Sequence, residues 1–195
     1  MNTGMQDACN LAWKLALVSR GICAPEPLLS SYSTERSAIA KLVLEATGKA
    51  TAVGVMRGGI KQSIRNHLAS LVFGFAPVKH TMANLLSEVA VGYSESPLNA
   101  QSTHGHGGPE PGKRAPIRQG ESKVGAGNTP RFALFAEDTP GSRSLLAKYP
   151  NLVEPSPRKQ YAEGGLWVVR PDGYVALAAK DDAWNDVDAY LGSLT

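Results

Sequence analysis

The sequence predicts a mixed α/β protein in which a helix-rich first half precedes a small α/β domain. Apolar residues recur at three- and four-residue spacing early in the chain, as on one face of a helix. Between Pro97 and Pro130, 12 of 34 positions are Gly or Pro, which interrupts regular structure repeatedly. Beyond that stretch, short β-type runs and an Asp-Gly turn alternate with helical segments. The expected division is therefore residues 1–96 helix-rich, 97–130 connector and 131–195 a small α/β domain.

The first helix is expected from the opening residues onward. Thr3 followed by Gln6 has the capping-box spacing, and Asp7 in the first turn would oppose the macrodipole favourably. Gly4 costs roughly 1 kcal/mol relative to Ala in a helix interior, so its place near the start suits close approach of a ligand to the backbone. A helix N-terminus leaves about four N–H groups unpaired and suits an anionic or carbonyl-bearing ligand. Ala8, Leu11, Ala12, Leu15 and Ala16 form a small-residue stripe able to pack on a sheet or second helix. Gly21 is the expected C-cap, with Pro25 and Pro27 preventing continuation.

A long helix is expected from about Leu28 to Met56, with a break marked by Gly54, Gly58 and Gly59. Further helical segments fall around Lys61 to Phe73 and Val78 to Leu86. Leu68, Leu71, Val72 and Phe75 recur at helical spacing, while Phe73, Phe75, Met82 and Leu85 suit either a helix-packing core or the lining of a substrate pocket.

In the last part, Phe132 to Phe135 is a strand candidate, Ser142 to Tyr149 a helix and Leu152 to Glu154 a short strand. Leu166 to Arg170 is a stronger strand, turned through Pro171-Asp172-Gly173 into a partner from Tyr174 to Leu177. Asp181 or Asp182 is the expected cap of a final helix whose apolar face is Trp184, Val187, Tyr190, Leu191 and Leu194. Strand, helix, strand, hairpin, helix is the thioredoxin-like order. Thiol–disulfide exchange needs a thiolate, and this domain contains no cysteine, so a structural or dimerisation role is expected of it. Arg170 and Asp172 read as a salt bridge across the turn.

Composition narrows the function further. The 195 residues are 43% hydrophobic and 19% charged, with net charge +3, enough for a sizeable core in one large or two small units. Lys and Arg are dispersed without aromatic interleaving, which argues against a nucleic-acid surface. No apolar run approaches the roughly 20 residues that span a bilayer, and the start has no signal-peptide pattern, so the expected compartment is the cytoplasm. Cys9 and Cys23 would lie near 20 Å apart along one straight helix at about 1.5 Å per residue, so free thiols are expected. His104 and His106 fall short of the three or four ligands of a usual metal site, and no metal is expected. Gly105-His106-Gly107-Gly108 lacks the preceding strand and following helix of a dinucleotide fingerprint.

Several runs carry a family resemblance. Met1-Asn2-Thr3-Gly4, Asp7-Ala8, Asn10-Leu11 and Trp13-Lys14-Leu15 resemble the Gly-Met-Asn-x-Gly-x-x-Asp-Ala-x-Asn-Leu-x-Trp-Lys-Leu segment of the FAD-dependent aromatic hydroxylases, the class A flavoprotein monooxygenases. The run from Leu28 to Ala40, with Tyr32, Glu35 and Arg36, resembles their Leu-x-x-Tyr-x-x-Glu-Arg-x-Pro-x-Ala block, with Ser37-Ala38 where that block carries Pro. Val89 to Leu98 resembles the family's short strand ending in Tyr-x-x-Ser-Pro-Leu. Pro111-Gly112-Lys113-Arg114-Ala115-Pro116 and Val169 to Ala176 match the entry and the signature of the family's C-terminal domain.

The resemblance implies a helical remnant of a flavin/substrate domain followed by a thioredoxin-like domain. It places Met1 and Asn2 as backbone donors to the pyrimidine edge of the flavin, with Thr3 and Gly4 at the helix entry. Asp7, Asn10 and Lys14 are expected to cap, pack or face solvent. In the complete family enzyme NAD(P)H reduces FAD, and one atom of O2 passes to an aromatic ring such as a phenol or polyketide. The family's Gly-x-Gly-x-x-Gly, Asp-Gly and Gly-Asp elements all precede the segment that Met1 opens. The expectation is a start inside a longer frame, a truncated relative, or a chain that works with a flavin domain or a second copy. An assembly or dimerisation module and an apolar-ligand module built on the helical half are the other readings.

Overall fold

A computed structural model describes residues 2–54, 92–100 and 107–195. Helix α1 spans Asn2–Ser19 and α2 spans Pro25–Gly54. Strand β1 is Ala133–Phe135, α3 Pro140–Lys148, β2 Gly165–Val169, β3 Val175–Lys180 and α4 Trp184–Gly192. Residues Thr3–Glu35 and Gly92–Thr195 form one unit, and Arg36–Val91 a second that takes up the rest of α2. The segments expected at 61–73 and 78–86, and the set Phe73, Phe75, Met82 and Leu85, lie outside the described residues.

Helix α1 ends as its sequence predicts. Gly21 adopts φ +65°, and the amides of Gly21 and Ile22 return to the carbonyls of Val18 and Leu17. Its start and its packing face differ from expectation. The helix already includes Asn2, so Thr3 lies inside it rather than at its cap, and Asp7 falls beyond the first turn. The buried face is Asn10, Trp13, Lys14 and Leu17, while Ala8, Ala12 and Leu15 of the small-residue stripe are exposed. Trp13 and Leu17 remove far more apolar area from water than three alanines would, and that difference sets the rotation of the helix.

The sheet has the order β1-β2-β3 and is antiparallel throughout. Both faces are covered, which is why β2 is apolar at every position instead of alternating. Phe132, Leu134, Leu166 and Val168 face a core built with Leu17, Leu28, Leu146, Val187 and Leu191. Ala133, Phe135, Trp167, Val169 and Val175 face a second cluster completed by Ala115. The β2–β3 turn forms as read, with the Gly173 amide bonded to the Arg170 carbonyl and Gly173 at φ +82°. The segment expected as a strand at 152–154 makes only an isolated parallel bridge, Phe132 with Val153.

Capping is reversed between the last two helices. Thr139 and Ser142 form a reciprocal capping box on α3 that the sequence reading missed. Helix α4 has no side-chain cap: Ala183 holds the cap position, and Asp182 contributes its backbone carbonyl to the Trp184 amide. Residues 112–115 are also more ordered than the surrounding Gly and Pro content predicts. The Gly112 and Ala115 amides bond to the Val175 and Gly173 carbonyls, so 112–115 lies along the start of β3.

Gly125 has φ +73°, and a Cβ there would meet the backbone of Pro171, including its Cα at 2.8 Å. Gly120 has φ +84° but open space around it. Gly125→Ala is expected to destabilise the protein by about 2 kcal/mol or more and Gly120→Ala by about 1 kcal/mol, as read from urea unfolding midpoints.

Candidate functional site

Helix α1 carries the residues expected to meet a flavin. Asn2, Thr3 and Gly4 form its first turn, and Met1 lies outside the described residues. Gly4 is exposed, and a Cβ added to it would touch nothing within 4 Å. Among the described residues, open space therefore lies beside Gly4, in the turn where unpaired amides are found. That arrangement fits the edge of a ring offering a carbonyl acceptor. No glycine-rich phosphate cradle of strand–turn–helix form occurs among the described residues, so they fit the ring edge rather than a whole dinucleotide.

Behind this helix start lies a buried ionic cluster in which α1, α2, the 93–98 segment and the β2–β3 turn meet. Glu35 is its hub. Its Oε2 accepts from Asn10 Nδ2 at 2.7 Å, Lys14 Nζ at 2.8 Å and Arg170 Nη2 at 3.1 Å. Its Oε1 accepts from Ser96 Oγ and Arg170 Nη1. Arg170 also holds Asp172 through Nε at 3.0 Å and Nη2 at 2.6 Å. Lys14 donates to Ser31 Oγ at 2.7 Å as well. The side chains of Lys14, Glu35 and Arg170 are fully buried, and two cations face two carboxylates. The Arg170 guanidinium also lies 5.4 Å from the ring centres of Trp13 and Tyr93.

Burial alone would raise the Glu35 carboxyl, but the charges and hydrogen bonds of Arg170 and then Lys14 outweigh it and hold the group down to about 2. For Lys14 burial prevails over the pull of Glu35, and its ammonium sits below the usual lysine value. Burial also opposes the charge on Arg170, but Asp172 and Glu35 more than restore it.

The expected Arg170–Asp172 turn pair is present, as one side of a larger cluster. Sequence alone assigns Lys14 and Asn10 to capping, packing or the surface and gives Glu35 no role beyond its motif. A signal for them existed. Lys14 shares a helix face with Trp13 and Leu17, and Glu35 is seven residues from Leu28, so each is a charge on an apolar stripe. Among the described residues no cluster of His, Cys, Asp or Glu could hold a metal ion. His104 and His106 lie outside them. Cys9 is exposed and Cys23 buried, both as free thiols.

Removing the Glu35 charge leaves Lys14 and Arg170 buried and underpaired. Glu35→Gln is expected to cost about 3–5 kcal/mol in urea unfolding. Because the folded carboxyl titrates near 2 against an ordinary value of 4.5, its contribution should be complete above about pH 4.5 and lost as pH falls toward 2. In Glu35→Gln that part of the acid dependence should vanish.

Comparison with known proteins agrees with the motifs. Residues 1–47 match the FAD binding domain family. The whole chain is 30% identical over 229 aligned residues to 6-methylpretetramide 4-monooxygenase of Streptomyces rimosus, covering 41% of that protein. Over 47 residues, 24% of this chain and 9% of the relative, it is 55% identical to pentachlorophenol 4-monooxygenase of Sphingobium chlorophenolicum. Among solved structures, an anhydrotetracycline hydroxylase from Streptomyces rimosus superposes with a TM-score of 0.68 at 25% identity, over 98% of this chain and 40% of that one. The chain thus spans about two-fifths of the length of the relatives it matches from end to end. In its motifs and its fold, it is similar to the FAD-dependent aromatic-ring monooxygenases.

Proposed function

We propose that this chain contributes the flavin-facing helix and the C-terminal module of an FAD-dependent monooxygenase. The enzyme would hydroxylate a phenol- or polyketide-like aromatic in the cytoplasm, using NAD(P)H and O2, and the 195 residues would be inactive by themselves. The observation that carries this reading is the open first turn of α1, held from behind by the Glu35 cluster, within a segment that matches an FAD binding domain.

In this reading the backbone amides of Met1 and Asn2 donate to the pyrimidine edge of the ring, and Thr3 and Gly4 form the helix entry. FAD, when bound, supplies the redox chemistry and the activation of O2. The chain's part is electrostatic. Amides fixed in a helix need not reorient when negative charge develops on the ring, and the helix dipole favours that charge. Lys14, through Glu35 and Arg170, keeps the helix from rotating or sliding.

The exposed apolar residues of α1, among them Met5 and Leu15, are the surface on which a flavin domain would rest. The strand, helix, hairpin, helix order of 131–195 supports a thioredoxin-like module for this part. With no cysteine there, the module would serve packing or homodimer contacts rather than disulfide exchange. Residues 1–96 would then be the helical part of the flavin and substrate domain and 97–130 the connector. No helix among the described residues is long and apolar enough to cross a membrane.

The purified 195-residue protein should be colourless and should not oxidise NAD(P)H when FAD and a phenol are added. Fused behind the N-terminal remainder of 6-methylpretetramide 4-monooxygenase, the same residues should restore FAD retention and substrate-dependent NAD(P)H oxidation. A yellow, phenol-dependent isolated chain would overturn the inactivity. A folded chimera without flavin would favour an assembly role instead.

A further inference from the structure

A groove of about 580 Å³ lies within the 3–35 and 92–195 unit. Gln6, Cys9 and Trp13 of α1 form one side, and Ile117 and Tyr161 contribute to the other. Its volume is in the range of small-molecule sites. The apolar floor is aromatic: Tyr161 stacks on Phe135 at 4.5 Å with an interplanar angle of 20°.

Two features of the walls point to a ligand. Gln6 Oε1, Trp13 Nε1 and the Tyr161 hydroxyl are buried with no hydrogen-bond partner among the described residues, although buried polar groups are normally paired. Of the three cations that line the groove, Arg158 is paired with Glu154, whereas Arg114 and Lys123 have no ion pair among the described residues. The two wall carboxylates are committed elsewhere, Asp172 to Arg170 and Glu121 to Arg118. Arg114 instead lies 4.8 Å from the Tyr174 ring centre and donates to its hydroxyl at 3.2 Å. Burial pushes the Tyr161 hydroxyl up to about 12, so it stays a neutral donor at physiological pH.

We propose that this groove is a second binding site, separate from the helix start, for a planar aromatic carboxylate. The ring lies against Tyr161 and Ile117, the carboxylate meets Arg114 and Lys123, and polar substituents meet the unpartnered atoms of Gln6, Trp13 and Tyr161. The site does not depend on the flavin reading.

Cys9 gives a local readout. It lines the groove and is exposed, whereas Cys23 is buried with its thiol pushed up to about 11 and serves as an unreactive internal control. The experiment follows alkylation of Cys9 in the full chain by iodoacetamide, read by peptide mass spectrometry, with 2-naphthoate or the neutral 2-naphthol as protecting probe. 2-Naphthoate should protect saturably, about tenfold more potently than 2-naphthol. Arg114→Ala, and more weakly Lys123→Ala, should remove that preference while leaving alkylation of the unliganded protein unchanged. Absence of saturable protection by 2-naphthoate would overturn the proposal. So would equal protection by both probes in the parent chain and in Arg114→Ala.

Discussion

The arrangement of this protein turns on one carboxylate. Glu35 receives hydrogen bonds from α1, from the 93–98 segment and from the end of β2, across sequence separations of 21 to 135 residues. Its charged partners Lys14 and Arg170 are buried with it, so neither can leave without stranding a charge in a medium that solvates it poorly. The net worth of such a cluster against a well-packed apolar substitute is small. Its effect is on arrangement: α1, α2 and the β2–β3 turn have one mutual position in which every charge is paired.

That constraint connects fold to chemistry. The C-terminal module lies far along the chain from α1, yet Arg170 in its hairpin holds the carboxylate that holds Lys14. A helix that served as an electrostatic fixture would have to stay still when charge appeared in front of it, and Asn10 and Lys14 anchor α1 about two to three turns behind its start. The apolar core supports the same end, with Trp13 edge-on to Phe132 at 5.6 Å.

Much of the fold was legible in sequence, and the errors have identifiable causes. The hairpin at 170–174 was read correctly because Pro and Asp-Gly have few other uses between two apolar runs. The caps were harder. Thr3 and Asp181 or Asp182 have suitable chemistry, but a cap depends on which residue leaves the helix, and a shift of one or two positions decides it. The face of α1 was misjudged because small residues at helical spacing look like a packing stripe, while Trp13 beside Lys14 looks like a boundary. A lysine on the buried face becomes tolerable only when a carboxylate from another helix meets it.

The sequence by itself determined the family resemblance and the order of α1, α2, β1, α3, the β2–β3 hairpin and α4. These depend on local propensity and on residue runs read in order. Tertiary structure alone decided that Lys14, Glu35, Arg170 and Asp172 form one neutral cluster, that residues 112–115 lie along β3, and that a groove lined by Arg114 and Lys123 opens beside α1. Each of those depends on groups brought together across long sequence separations, and neither spacing nor composition encodes which distant charge neutralises which.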